Sequence, residues 1–170
     1  MSIIACRVTK DKIYIAADSQ LTCGNDRRPG LAYKKITKIR DIVLCVVGTC
    51  TEANLLVEYI KENKVPRSPR KLTLYMSDFY KWRDEVSPTL TPEEKDRTSN
   101  CQFIFIVGGR VLNTSNLFVA EVLEFHAIGS GEDYAIGAME CGASVKRAVE
   151  VACKYNNDCG LPVQYMEIRR

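Results

Sequence analysis

Apolar positions along this chain fall into two rhythms, short unbroken runs and steps of three or four residues. The runs Ile3 to Val8 and Ile13 to Ala17 flank the polar tetrad Thr9-Lys10-Asp11-Lys12, which predicts a strand, a tight turn and a returning strand ending on Asp18. Ser19 to Gly30 is polar and contains Gly24, Pro29 and Gly30, so a loop or a short distorted strand is expected. Tyr33 to Ile39 alternates loosely and Ile42 to Val47 is continuously apolar, with only Arg40-Asp41 between them, a second hairpin. After Gly48 the rhythm changes. Ala53, Leu56, Tyr59 and Ile60 predict a helix from a Thr51 cap to about Asn63. Pro66 and Pro69 interrupt the chain, and Leu72, Tyr75, Phe79 and Trp82 predict a second amphipathic helix to about Val86, with Trp82 packed in the core.

Ser87 to Asn100 has two prolines, many charges and no apolar period, and reads as an exposed loop or insertion. Four more β-type segments follow: Phe103 to Val107, Arg110 to Thr114, Leu117 to Leu123 and Phe125 to Ile128. Gly108-Gly109 supplies a hairpin turn, and a second sheet is expected here. His126 lies in the last segment, where a lone imidazole reads as a packed residue. Gly129-Ser130-Gly131 leads into a helix through Met139. Gly142 separates it from a helix starting near Ser144, with Val145, Ala148, Val149 and Ala152 on one face. Leu161 to Ile168 returns as a strand. Helices in pairs, rather than one after each strand, argue against a doubly wound parallel sheet and for sheets with helices packed outside them.

Composition narrows the partners. The 170 residues, 46% hydrophobic, suit a single domain with a real core. With 24 Lys plus Arg against 21 Asp plus Glu, the net charge of +3 is too mild and too scattered for a nucleic-acid surface. Arg67, Arg70 and Lys71, the densest basic group, read as a solvated helix entrance. Cys6, Cys45, Cys101 and Cys153 sit in apolar patterns as small hydrophobes, and a single His with no Cys-x-x-Cys pair argues against a zinc site. No cofactor motif is present, since Gly129-Ser130-Gly131 lacks a phosphate-loop context. No signal peptide or membrane-length apolar run is visible, so a soluble cytoplasmic protein with reduced thiols is expected.

The candidate chemistry begins at Ser2. Removal of Met1 from before this small residue would leave Ser2 with a free amine at the start of the first strand. A serine hydroxyl needs a base, and an α-amine with a pKa of roughly 7.7 to 8 is suited to that task. Further residues then fall into a familiar order. Ala16-Ala17-Asp18-Ser19 follows the first hairpin, Lys34-Lys35-Ile36 comes next, and Gly48 precedes Glu52-Ala53 at a helix start. Gly129-Ser130-Gly131-Glu132-Asp133-Tyr134-Ala135 runs on to Gly137-Ala138-Met139, with Gly142-Ala143-Ser144 and Ala148-Val149 behind. Over nearly the whole chain the sequence resembles proteasome-family β-type subunits and HslV-type peptidases, the N-terminal nucleophile hydrolases, including small bacterial or phage-encoded proteasome homologues.

The resemblance implies an α+β fold, a four-layer αββα sandwich, and amide hydrolysis through an acyl-ester on Ser2. Lys35 would keep the amine neutral, Asp18 would hold Lys35 charged and oriented, and the Gly48 N–H would stabilise the oxyanion. Ser130 would position the amine or a proton-shuttling water. Lys34 is the rival for the lysine role, with Ile36 favouring Lys35. The implied assembly is a ring-shaped homo-oligomer acting on proteins or peptides, with an AAA+ ATPase unfoldase as the usual partner and no nucleic acid or membrane. Hydrolytic members mostly begin with Thr, where this chain has Ser2. They also carry an Asp three residues before a Ser-Gly pair; here Asn156 or Asn157 takes the Asp position, or Asp158 substitutes, and Cys159 takes the Ser position. A catalytically silent scaffold subunit and an amidohydrolase with a small substrate are the alternatives.

Overall fold

The computed structural model describes residues 2–23, 26–28, 31, 33–87, 91 and 101–170. Met1, the Gly24, Pro29 and Gly30 punctuation, and most of the expected loop from Ser87 to Asn100 lie outside the described residues. The chain divides into two compact units, Met1–Thr37 with Val122–Arg170, and Lys38–Glu121.

The first unit is built on the expected hairpin, β1 (Ile4–Val8) and β2 (Lys12–Ala17), closed by Thr9, whose N–H donates to the Lys12 carbonyl. The polar stretch after Asp18 forms two minimal strands, β3 (Thr22–Cys23) and β4 (Asp26–Arg27). β10 (Phe125–Ile128) and β11 (Gln164–Arg169) flank the hairpin, in the antiparallel order β10-β1-β2-β11. Register brings Ala127 and Ala16 opposite Ala5, a row of alanines across three strands. Two helices lie over that row. They are α3 (Glu132–Glu140) and α4 (Val145–Tyr155), the latter capped by Ser144, whose hydroxyl accepts from the Arg147 N–H. Val145, Ala148, Val149 and Ala152 face the sheet as the periodicity predicts. Methyl side chains on both surfaces let helix and sheet approach closely. Arg7 reaches from β1 to the C-terminal end of α3, donating to the Met139 and Ala143 carbonyls at 3.0 and 3.3 Å, where a cation offsets the helix dipole.

The second unit is built on a five-stranded sheet in the order β5-β6-β7-β8-β9, comprising β5 (Ile36–Ile39, of which Ile36 and Thr37 fall in the first unit), β6 (Ile42–Val47), β7 (Gln102–Val107), β8 (Arg110–Ser115) and β9 (Phe118–Glu121). Every residue of β6 is buried, which is why its sequence is continuous rather than alternating. The sequence reading groups the four segments after Phe103 into a second sheet, and here the structure differs. β7, β8 and β9 extend β5 and β6, while β10 leaves them to pair with β1.

α1 (Cys50–Glu62) begins two residues earlier than expected, with Thr49 as its cap accepting from the Glu52 N–H. α2 (Pro69–Val86) is capped by Ser68 with Pro69 in its first turn. Tyr59 of α1 meets Tyr75, Phe79 and Trp82 of α2, with ring centroids 5.2 to 5.5 Å apart. Trp82 is half-buried in this cluster, and Phe79, fully buried, contributes about 1.5–3 kcal/mol by leaving water.

Candidate active site

Asp18 follows β2 directly, so its carboxylate emerges where the first hairpin opens. The hairpin register places Ile3 beside it. The Asp18 N–H donates to the Ile3 carbonyl at 3.1 Å, and the Ile3 N–H returns a bond to Asp18 Oδ1 at 3.0 Å. Lys35 Nζ donates to the same oxygen at 2.6 Å. Oδ2 accepts from the backbone N–H groups of Gln20, at 3.0 Å, and Gly160, at 3.1 Å. A fully buried carboxylate is stable only when paired and hydrogen-bonded, and Asp18 has both kinds of partner. Lys35, buried to 4% exposure, occupies the position that Lys34 could have claimed; Lys34 points to solvent.

Ser2 is buried at 6% exposure, and its carbonyl is held from the other side. The Ser130 hydroxyl donates to it at 3.3 Å and the Gly131 N–H at 3.4 Å. Gly131 has no space for a side chain, because a Cβ there would lie 2.9 Å from Ala152 Cβ and 3.1 Å from Ile3 Cβ. The absent side chain lets the turn come this close to β1. The structure thus brings Ser2, Asp18, Lys35 and Ser130 into one unit around the entry to β1.

Of the three residues that could support Ser130, Asn156 is the one in contact. Its side-chain amide donates to the Ser130 carbonyl at 2.6 Å, and its Oδ1 accepts from the Asp158 N–H at 2.8 Å. Asn156 is also the C-cap of α4, its N–H bonded to the Ala152 carbonyl, so the helix end locates the turn. Cys159 Sγ lies 3.9 Å from Ser130 Oγ. Burial, reinforced by the nearby Asp18 charge, pushes its thiol up to about 11, so Cys159 stays protonated and is no rival nucleophile at neutral pH.

Gly48 belongs to the second unit, between β6 and α1. Its φ of 134° lies in a region L-residues rarely adopt, and a Cβ there would collide with the Cys101 side chain. Cys101 Sγ accepts the next N–H, that of Thr49, at 3.3 Å, so the turn that carries Gly48 is tied at its helix side. Behind it, buried Glu52 accepts from Arg83 Nη1 at 3.1 Å, and Arg83 also binds Asp84. Burial, partly offset by Arg83, raises the Glu52 carboxyl to about 6.

The BPH protein of Thiobacillus denitrificans, solved in complex with epoxomicin, matches with a TM-score of 0.83 over 98% of each chain, at 21% identity. Eukaryotic HslV from Trypanosoma brucei matches with a TM-score of 0.75 over 99% of each chain, at 20% identity. This is the proteasome β-type, HslV-like fold. Anbu, the ancestral beta-subunit, from Yersinia bercovieri shares it with a TM-score of 0.73 and 12% identity, over 98% of this chain and 81% of its own. No family model and no curated protein matches the sequence.

Within the proteasome-like fold, one contributor was not legible in the sequence. Gln164, at the start of β11, accepts the Lys35 N–H at 3.0 Å through Oε1, while Nε2 donates to the carbonyls of Asp18 and Tyr33 and to Ser19 Oγ. It clamps both segments that carry the ion pair. Its position 129 residues from Lys35 leaves no local signal. His126 is half-buried opposite Cys6, and burial lowers its imidazole pKa. Among the described residues no group of His, Cys, Asp or Glu is arranged to hold a metal ion, and no helix is long and apolar enough to cross a membrane.

Proposed function

We propose that this protein is an N-terminal nucleophile peptidase that hydrolyses peptide bonds through an acyl-ester on Ser2, exposed by removal of Met1. The observation that carries this reading is the shared Asp18 Oδ1, which binds both Lys35 Nζ and the N–H following Ser2. Lys35 is thereby linked to the Ser2–Ile3 peptide by two hydrogen bonds that share Asp18 Oδ1. Its charge would disfavour protonation of a free Ser2 amine, leaving that amine to accept the hydroxyl proton. Ser2 Oγ would then attack the substrate carbonyl, and the Gly48 N–H would be the oxyanion donor, by the resemblance. The amine returns the proton to the leaving nitrogen, and water hydrolyses the ester.

Ser130 would position the amine or the proton-shuttling water, a role supported by its hydroxyl on the Ser2 carbonyl. The assembly consistent with this reading is a homo-oligomeric ring in the cytoplasm, fed by an AAA+ ATPase unfoldase.

The test is intact mass of protein purified from its own cells, before and after exposure to epoxomicin. Loss of Met1 and one adduct that vanishes in Ser2→Ala is the expected result. Retained Met1 without an adduct would point to a silent scaffold subunit instead.

A further inference from the structure

Asp18 follows the end of β2 and Lys35 precedes β5, so no strand register sets the distance between them. Gln164 bridges the two segments from a third. It opens β11 directly opposite Ala17, the last residue of β2, which brings its side chain level with the point where the chain leaves the sheet. Its Oε1 accepts the Lys35 N–H at 3.0 Å. Its Nε2 donates to the Tyr33 carbonyl at 3.0 Å, and to the Asp18 carbonyl and Ser19 Oγ, each at 3.3 Å.

These bonds demand an amide. One arm must accept while the other donates, which a carboxamide does and a carboxylate does not. Turning the amide over would set its oxygen against two carbonyls. Apart from Ser19 Oγ the partners are main-chain atoms, so the side chain fixes the course of the chain at Asp18 and from Tyr33 to Lys35. The Lys35 side chain starts from that fixed main chain and ends on Asp18 Oδ1, the oxygen that also receives the Ile3 N–H. The place of the ammonium relative to Ser2 is thus set at two points, by Asp18 at its tip and by Gln164 at its root.

The other titratable groups around the Lys35–Asp18 pair are Cys153 of α4 and Cys159, with Asp158 beside the latter. Burial pushes the Cys153 thiol up to about 12 and the Cys159 thiol up to about 11, so neither carries charge near neutral pH. The ion pair is therefore the part of this field that Gln164 controls.

We propose that Gln164 is a positioning residue for the Ser2 nucleophile: it anchors the Lys35 main chain so that the ammonium stays close enough to keep the Ser2 amine free of its proton. This rests on the peptidase reading and gives that site a residue that acts through Lys35 without touching substrate. Without the clamp the ammonium withdraws, and the amine holds its proton to higher pH, towards the roughly 7.7 to 8 of an ordinary α-amine. The nucleophile then lacks its base at neutral pH and regains it in alkali.

The experiment follows the rate of epoxomicin adduct formation by intact mass, on protein purified from its own cells, from pH 6 to 9.5. Wild type, Gln164→Ala and Gln164→Glu are compared. Each rate is expected to rise with pH to a plateau. The midpoint moves up by roughly half to one pH unit in Gln164→Ala, and at least as far in Gln164→Glu, whose carboxylate adds a negative charge. The rate accordingly falls roughly three- to tenfold at pH 7 and less than about twofold at pH 9.5. Gln164→Met keeps the bulk without the amide and is the variant to read where Gln164→Ala does not fold. A merely structural role gives a lower melting temperature and an equal loss at every pH, with the midpoint unmoved. That result would overturn the proposal, as would wild-type rates in Gln164→Met. A wild type that retains Met1, or takes no adduct at any pH, would instead remove the peptidase reading and the role of Gln164 with it.

Discussion

Lys35 Nζ and Asp18 Oδ1 lie 2.6 Å apart with both side chains out of water, and Asp18 accepts three backbone N–H groups besides. The pair joins the end of β2 to the residue before β5. It therefore serves structure as well as chemistry.

Removing one partner is the costly change, because it strands a buried charge. Lys35→Met is expected to cost about 3–5 kcal/mol of stability, measured by urea unfolding. Lys35→Arg keeps the charge, but a planar guanidinium does not reproduce the compact ammonium in this buried position. In the peptidase reading it is expected to lose hydrolysis by about 10²-fold or more, while losing less stability than Lys35→Met. Full turnover in Lys35→Arg would show that charge alone suffices.

Asn156 supports the Ser130 turn as a donor, so its amide is not interchangeable with a carboxylate. Asn156→Ala removes a hydrogen bond to the Ser130 carbonyl and is expected to cost about 1–3 kcal/mol. Asn156→Asp cannot donate when ionised and sets a negative charge against that carbonyl. Its stability is expected to be no better than that of Asn156→Ala at pH 7, and to recover in acid as the carboxyl protonates. Equal melting temperatures for wild type and Asn156→Asp would exclude this account.

Glu52 makes stability depend on pH in an unusual direction. Its carboxyl is raised from 4.5 to about 6 by burial, so the folded state binds its proton more tightly than the unfolded state does. That contribution is fully present below pH 4.5 and is lost as pH rises through about 6, amounting to about 2 kcal/mol. Glu52→Gln should abolish this component. The wild-type minus variant difference in unfolding free energy, followed from pH 4 to 7.5, should fall with a midpoint between the two values. A flat difference would place Glu52 in an ordinary titration range.

Gly48→Ala puts a Cβ into the Cys101 side chain at a φ of 134°. The strained backbone alone costs about 1–3 kcal/mol, and the collision adds to it. Adding Cys101→Ala removes the nearest clashing atom, Sγ, but leaves Cβ at 2.9 Å, Cα at 3.0 Å and the φ, so the double variant should recover only a small part of the stability. In the peptidase reading it should recover little of the activity, because the peptide that presents the Gly48 N–H remains displaced. Stability is read by thermal unfolding and activity by peptide hydrolysis.

Much of the architecture was legible because it is local. The β1–β2 and β5–β6 hairpins follow from apolar runs around two- to four-residue polar turns, and the inward face of α4 follows from its spacing. The α1 start was misplaced by two residues because Thr49 and Thr51 are both competent caps, and only the chain direction leaving Gly48 chooses between them. Ser2, Asp18 and Lys35 were marked by sequence context, with Ile36 favouring Lys35 over Lys34, and Lys35 is the one whose ammonium reaches Asp18.

The sequence by itself determined which residues turn inward, where strands give way to helices, and that a serine with a buried acid and a lysine was available near the chain start. Tertiary structure decided which of these meet. β10 pairs with β1 across more than a hundred residues, Gln164 clamps Lys35 and Asp18, and Asn156 rather than Asn157 or Asp158 holds Ser130. The physical reason is that burial is a property each side chain carries locally. A hydrogen-bond partner is a property of two segments, set by register and close packing once the sheets and helices have formed.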